Sequence, residues 1–193
     1  MLTNRSGRMA MSCVLFTLPG FAFAHSGHDD SGLMAGVMHP LSGMDHLLAM
    51  FAVGLWAAQQ KGSARWSFPT TFVGCMLLGG LLGFDGVYIP YLETGIAASV
   101  VTLGLLVALV ARTPLVVSIL ITGSSGLVHG IAHGLELPGM NSPVTYAAGF
   151  VIATSGLHAF GYALSRFAPA CAATLIRIIG LVSAGVGALL LVG

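Results

Sequence analysis

Long apolar stretches separated by short polar connections dominate this chain. Six of them follow the first 32 residues, and each is close to the roughly 20 residues that a helix needs to cross a bilayer. They cover residues 33–58, 68–84, 90–111, 115–135, 144–165 and 171–192. The pattern predicts an all-α integral membrane protein, a bundle of six transmembrane helices joined by short loops.

The composition agrees with this prediction. Hydrophobic residues make up 56% of the 193 and charged residues 7%, whereas a soluble domain carries about 25% charged residues. A net charge of +1 leaves no basic surface for nucleic acid. The three cysteines are far apart in sequence and indicate no disulfide framework.

Residues 1–24 have the pattern of a secretory signal peptide. Arg5 and Arg8 precede a short apolar run over 9–18, and Ala22-Phe23-Ala24 is a small-residue cleavage site. The predicted division is therefore a cleaved signal at 1–24 and a six-helix transmembrane domain at 25–193. Cleavage would leave His25 as the mature amino terminus, outside the cytoplasm.

The charges indicate how the spans are oriented. If His25 is outside, every lysine and arginine of the mature chain falls on the cytoplasmic side, as the positive-inside rule requires. These residues are Lys61, Arg65, Arg112, Arg166 and Arg177. Asp85, Glu93 and Glu136 fall at or near the outer side. The sequence thus predicts a bacterial inner-membrane protein with both mature termini outside the cytoplasm.

Two histidine clusters interrupt the apolar spans, at residues 39–46 and 129–136. Ionisable side chains inside a span are costly and usually mark an ion or substrate path. In the fourth span His129, His133 and Glu136 are spaced i, i+4, i+7 and share one helix face. Imidazole and carboxylate together are typical ligands of divalent transition metals.

The first-span cluster combines His39, Asp45 and His46. On a continuous helix the two histidines lie on nearly the same face, about 10 Å apart along the axis. Asp45 either orients a ligating imidazole or binds the metal itself. Pro40 removes a backbone N–H and is expected to kink the helix near its outer end.

A glycine stripe lies beside the second cluster. Gly126, Gly130 and Gly134 repeat at i, i+4, i+8, a spacing that lets another helix pack closely. One side of this span is therefore predicted to admit a neighbour, and an adjacent side to present metal ligands. We expect the two histidine clusters to face each other across one cavity.

Four further residues are weaker candidates for metal binding. Glu93 either attracts a cation at the outer mouth or is a solvated end residue. His158, on the inner half of span five, is either an exit ligand or a histidine hydrogen-bonded to a neighbour. His25 and His28, with two adjacent aspartates, either chelate a divalent ion or belong to an end of the chain that is merely polar.

The residues alone predict a path for a divalent transition metal, and they leave one rival open. Paired histidines with a carboxylate also hold catalytic zinc, as a zinc-dependent intramembrane hydrolase requires. A hydrolase needs a closed three-ligand cage beside a substrate cleft, whereas a path needs ligands distributed across the membrane. The chain has no nucleotide-binding motif, so no coupling to ATP is expected.

The chain resembles the HupE/UreJ family of nickel permeases at these motifs. The family's H-x5-D-H is matched by His39, Asp45 and His46, and its F-H-G-x-A-H-G-x-E by residues 128–136, with Val128 in place of Phe. Phe72 and Glu93 look like the counterparts of two further family residues.

The resemblance implies a non-enzymatic secondary permease that spans the lipid bilayer. It implies uptake of Ni²⁺, or of Co²⁺ in some members, to supply hydrogenase or urease maturation. The metal is then the transported ion, with no catalytic cofactor expected. Its proposed ligands are His39, Asp45, His46, His129, His133 and Glu136.

Overall fold

A computed structural model describes residues 32–137 and 142–193. The signal peptide, His25 and His28 lie outside the described residues. The described residues form helices and turns, with no strand. The helices are α1 (Leu33–Ser42), α2 (Met44–Ala58), α3 (Ala64–Phe84), α4 (Leu92–Ala108), α5 (Leu115–Glu136), α6 (Pro143–Phe167) and α7 (Ala173–Val192), the last preceded by a 3₁₀ turn at Ala170–Ala172.

The expectation of an all-helical, multi-span membrane protein is confirmed. Four of the described helices are long and apolar enough to cross a bilayer, or five if α1 and α2 together make one span. The helix α4 is apolar but shorter, with 17 residues. Helices α3, α5, α6 and α7 lie close to the predicted spans.

The first predicted span is broken, which corrects the expectation of one continuous helix. Helices α1 and α2 meet at Gly43 with a bend of 85°. Gly43 has extended backbone angles (φ −82°, ψ 116°), and its N–H donates to the carbonyl of His39 at 3.2 Å. The expected kink therefore lies three residues beyond Pro40, which itself is buried inside α1.

The helix α3 begins at Ala64, four residues before the predicted start. Its first turns are polar, and the hydroxyls of Ser67 and Thr70 donate to backbone carbonyls three or four residues earlier. These hydroxyls form their hydrogen bonds within the helix, so α3 can include the polar residues at its start. The predicted short span is in fact 21 residues long.

The helix α2 occupies the centre of the bundle, and most of its residues are buried. It contacts α3, α4 and α6, while α1 packs across α6 and α7 packs on α4. The predicted glycine stripe of α5 faces α3. A Cβ at Gly130 would collide with the Met76 carbonyl, and one at Gly126 with the Phe72 carbonyl. These contacts fix the height of α5 against α3.

The bundle has two chemically different ends. The connections α2–α3, α4–α5 and α6–α7 meet at one end, where Trp56 Nε1 and Arg177 Nε donate to the carbonyls of Ala111 and Ala108, each at 2.8 Å. We call this the arginine end, because it holds Lys61, Arg65, Arg112, Arg166 and Arg177. The opposite, acidic end holds Asp85, Glu93 and Glu136.

Candidate metal centre

Four imidazoles from the two sequence clusters meet in the half of the bundle nearer the acidic end. Ring centroids lie 4.6 Å apart for His39 and His133, 4.4 Å for His46 and His133, and 4.7 Å for His46 and His129. We call these four side chains the imidazole cluster. The two clusters, 90 residues apart in the chain, thus form one site between α1, α2 and α5.

The bend at Gly43 brings the two first-span histidines together. Their ring centroids are 5.9 Å apart, much closer than the separation expected on a straight helix. Because α1 turns away from the axis of α2, His39 projects back over the amino-terminal turn that carries His46. In this arrangement both rings contact the same partner, His133.

Glu136 completes a group of three on the acidic side of the cluster. Its Oε2 lies 3.7 Å from His39 Nε2 and 3.8 Å from His133 Nδ1. These distances are too long for hydrogen bonds, but two ligands each about 2.1 Å from a metal ion are separated by about 3–4 Å. The ligand atoms of His39, His133 and Glu136 all lie within 4.8 Å of one another.

Asp45 fixes the orientation of His46. Its Oδ1 lies 2.7 Å from His46 Nδ1 and also accepts the backbone N–H of His46 at 2.8 Å. In a neutral imidazole Nδ1–H donates to the carboxylate, so the lone pair is on Nε2. That atom is buried without a hydrogen-bond partner. The carboxylate–imidazole pair is the arrangement that commonly orients metal-binding histidines.

Ser99 on α4 fixes the orientation of His129. The Ser99 hydroxyl donates its hydrogen to the Ile96 carbonyl at 2.7 Å, and its oxygen lies 2.9 Å from His129 Nε2. The hydroxyl therefore accepts from Nε2–H, which leaves the lone pair on Nδ1. That nitrogen is fully buried and unpartnered.

His133 is held by packing rather than by hydrogen bonds. Neither ring nitrogen has a hydrogen-bond partner, and the Phe150 ring lies 4.0 Å away between centroids. Tyr146, on the same helix as Phe150, packs its ring 5.9 Å from that of His39. Helix α6 thus forms an aromatic wall on one side of the site.

The sequence did not identify Ser99, Tyr146 or Phe150 as part of the site. A serine in an apolar helix commonly bonds to its own backbone, and aromatic residues commonly pack in a core. Only the tertiary contacts of α4 with α5, and of α6 with His39 and His133, distinguish these residues from others of the same kind.

Exposure falls steadily from the acidic end inward. The side chain of Glu136 is 48% exposed, that of His39 33% and that of His133 7%, and His129 is fully buried. Beyond Glu136 is a cavity of about 660 Å³, which Glu93 also lines. The two carboxylates therefore border one cavity at the acidic end, which we call the vestibule, and Glu136 also lies beside His39 and His133 of the imidazole cluster.

His158 lies apart from the cluster, farther toward the arginine end. The Phe72 ring separates them, with centroids 5.8 Å from His129 and 5.2 Å from His158. Both ring nitrogens of His158 are buried without a partner. It also lines a cavity of about 610 Å³ together with Arg65 and Ser155.

Comparisons with known proteins identify the family of the chain. The sequence model of the family described as HupE / UreJ protein matches residues 13–190. Protein HupE of Rhizobium leguminosarum bv. viciae is 43% identical over 188 residues, which cover 96% of this chain and 98% of the relative. No solved structure matches. The chain therefore belongs to the HupE/UreJ family.

Proposed function

We propose that this protein is a secondary permease that takes up a divalent transition metal, Ni²⁺ foremost and Co²⁺ as an alternative ion. The metal would supply hydrogenase or urease maturation. Family membership supports a role in metal supply. The observation that carries the proposal is the convergence of four imidazoles and Glu136 in a buried site open to one end of the bundle.

The donor set suits such an ion. The unpartnered nitrogens His46 Nε2, His129 Nδ1 and both nitrogens of His133 offer borderline ligands inside an apolar bundle. Imidazole suits nickel and cobalt, whereas magnesium and calcium prefer all-oxygen sites. Buried polar atoms without partners are unfavourable unless a bound group satisfies them. A hydrated divalent ion would meet that need.

The charge distribution supports an inward direction of transport. Every lysine and arginine among the described residues lies at the arginine end, which the positive-inside rule assigns to the cytoplasm. The acidic vestibule would then face outward in the inner membrane of a bacterium. With six crossings, α1 and α2 together making the first, both mature termini are outside.

The order of the side chains from the acidic end to the arginine end suggests the order in which they would bind the ion. Glu93 and Glu136 attract the ion at the vestibule, and His39, His133 and Glu136 replace part of its water shell. Asp45-oriented His46 and Ser99-oriented His129 then take it deeper. His158 is the next imidazole toward the cytoplasm. His25 and His28, at the mature amino terminus, would raise the local metal concentration outside.

The alternative to a permease is a zinc-dependent intramembrane hydrolase, because two histidines and a glutamate also form catalytic zinc sites. The trio of His39, His133 and Glu136 matches that ligand set. Imidazoles nevertheless continue beyond it, through His46 and His129 to His158, and a hydrolytic site has no need of them. This continuation favours a path over a closed catalytic cage.

Accumulation of radioactive nickel in cells tests the proposal. Cells expressing the protein should accumulate nickel, and His46→Ala or His133→Ala should reduce accumulation to the level of cells without it. Thr102→Ala is the control, because Thr102 is exposed and bonds only to its own helix. Unchanged accumulation by both histidine variants, at equal amounts of membrane protein, would refute the assignment.

A further inference from the structure

Three side chains that the metal centre does not use meet in the middle of the bundle. The Thr154 hydroxyl oxygen lies 3.2 Å from Met50 Sδ and 3.7 Å from Met76 Sδ. Thr154 and Met50 are fully buried, and Met76 is nearly so. The three residues come from α6, α2 and α3, so the contact is formed only by the assembled fold. We call them the thioether group.

The hydrogen bonding of Thr154 is unusual for this chain. Buried or lipid-facing hydroxyls elsewhere donate to a carbonyl three or four residues earlier, as in Thr102, Thr122 and Ser183. Among the described residues, the partners of Thr154 are the two sulfurs. Since sulfur is a weak acceptor, this hydroxyl oxygen keeps its lone pairs free.

The thioether group lies between the imidazole cluster and His158. Met50 follows His46 by one helical turn, and Thr154 precedes His158 by one turn. Met76 lies one turn from Phe72 on the acidic side, and it shares a cavity of about 410 Å³ with His133. The thioether group thus lies one turn from His46 on the arginine side and one turn from His158 on the acidic side.

We propose that Met50, Met76 and Thr154 form a second, weak metal subsite that relays the ion from the imidazole cluster to His158. This inference rests on the proposed function, and it names the ligands that would distinguish soft metal ions from hard ones. Thioether sulfur is a soft, uncharged ligand that binds late and soft transition-metal ions and binds hard ions poorly. An ion that reaches the subsite as Ni²⁺ or Co²⁺ is stabilised there, whereas Mg²⁺ is not.

Weak binding of the metal at the thioether group is what a transport path requires. Conduction needs sites that are favourable enough to enter and weak enough to leave. The imidazole cluster offers several nitrogens, and another strong site directly behind it would trap the ion. Two neutral sulfurs and one hydroxyl lower the barrier between cluster and His158 without creating a deeper minimum.

The first test measures nickel binding and nickel uptake separately, with protein reconstituted in liposomes. The double variant Met50→Leu, Met76→Leu conserves side-chain volume and removes both sulfurs. We expect uptake to fall about tenfold or more while nickel affinity at the imidazole cluster stays within about twofold. The matched control is Met38→Leu, Met44→Leu, which changes two exposed methionines. Uptake equal to that of the control would overturn the subsite.

A second test does not depend on transport. The probe is Cu(I), a soft ion that thioethers bind, in purified protein whose cysteines are replaced by alanine. X-ray absorption should detect sulfur ligands that the Met50→Leu, Met76→Leu variant loses and the Met38→Leu, Met44→Leu variant keeps. Equal sulfur coordination in both variants, or none in either, would overturn the subsite even if nickel uptake is observed. Sulfur coordination lost only with Met50 and Met76, in a protein that takes up no nickel, would support the subsite and refute the proposed function.

Discussion

Asp45 Oδ1 and His46 Nδ1 are 2.7 Å apart, and this one contact determines which nitrogen of His46 faces the other imidazoles. The aspartate lies in the first turn of α2, immediately after the bend at Gly43. Its Oδ1 accepts both the backbone N–H and the Nδ1–H of His46, and these two bonds hold the ring in place. We therefore propose the orienting role for Asp45, one of the two roles that the sequence left open.

Asp45→Asn should weaken nickel binding by about 10–100-fold while leaving the fold intact. The amide can accept the same hydrogen bond, but it lacks the charge that makes the imidazole a better ligand. Equilibrium dialysis of purified protein measures the affinity. Asp85→Asn removes an exposed carboxylate at the acidic end and should have no effect. Equal affinities in the two variants would remove Asp45 from the site.

Ser99→Ala should reduce nickel affinity by about tenfold through His129, which loses the acceptor of its Nε2–H. The buried nitrogen is left without a partner and the ring is free to turn. Thr102→Ala, on the same helix, removes a hydroxyl that bonds only to its own backbone and serves as the control. If Ser99→Ala and Thr102→Ala bind nickel equally well, the hydroxyl does not orient His129.

His158→Leu should separate transport from binding. Leucine removes two buried nitrogens that have no partner, so thermal stability should be unchanged or higher. Nickel binding at the imidazole cluster should be unchanged, and uptake into liposomes should fall about tenfold because the inner imidazole is gone. An uptake rate like that of the unmodified protein would show that His158 only packs.

Gly130→Ala should lower stability by about 1–3 kcal/mol, because the new Cβ collides with the Met76 carbonyl of α3. The collision displaces α5, which carries His129 and His133, so nickel affinity should fall as well. Gly156→Ala is the control, since nothing lies within 4 Å of a Cβ there. Thermal unfolding in detergent compares the two. A Gly130→Ala protein as stable as Gly156→Ala would contradict the close packing of α3 and α5.

Cys171 gives a direct test of orientation. It is exposed in the turn between α6 and α7, at the arginine end. With Cys75 replaced by alanine, a thiol reagent that cannot cross membranes should label Cys171 in inverted membrane vesicles and not in intact spheroplasts. Labelling in spheroplasts would reverse the proposed topology and place the acidic vestibule in the cytoplasm.

The features of the site that depend on local periodicity could be predicted from sequence. The spacing of His129, His133 and Glu136 places them on one face of α5 in any straight helix. The glycine stripe predicted a close neighbour for the same reason. The partner of that stripe, α3, could not be predicted, because nothing in a stripe of small residues specifies which helix fills it.

The break between α1 and α2 at Gly43 could not be predicted from the sequence. Pro40 is a known cause of kinks, but it lies within α1, where its ring is tolerated. The bent α1 packs across α6, where Gly36 and Gly149 allow close approach, and this contact joins segments more than 100 residues apart. The hydrogen bond between Ser99 and His129 likewise joins residues 30 positions apart, which no local pattern encodes.

The start of α2 directly after Gly43 also has a consequence for the charge of the ion that the proposed site would bind. The positive end of the α2 helix dipole stabilises the Asp45 carboxylate, a group that is otherwise costly inside a bilayer. Asp45 and Glu136 together contribute two negative charges at the imidazole cluster when both are ionised. A dication would balance these two charges, whereas a monovalent or trivalent ion would leave a net charge beside the buried imidazoles. Valence would then be selected by charge balance, before any distinction between one divalent metal and another.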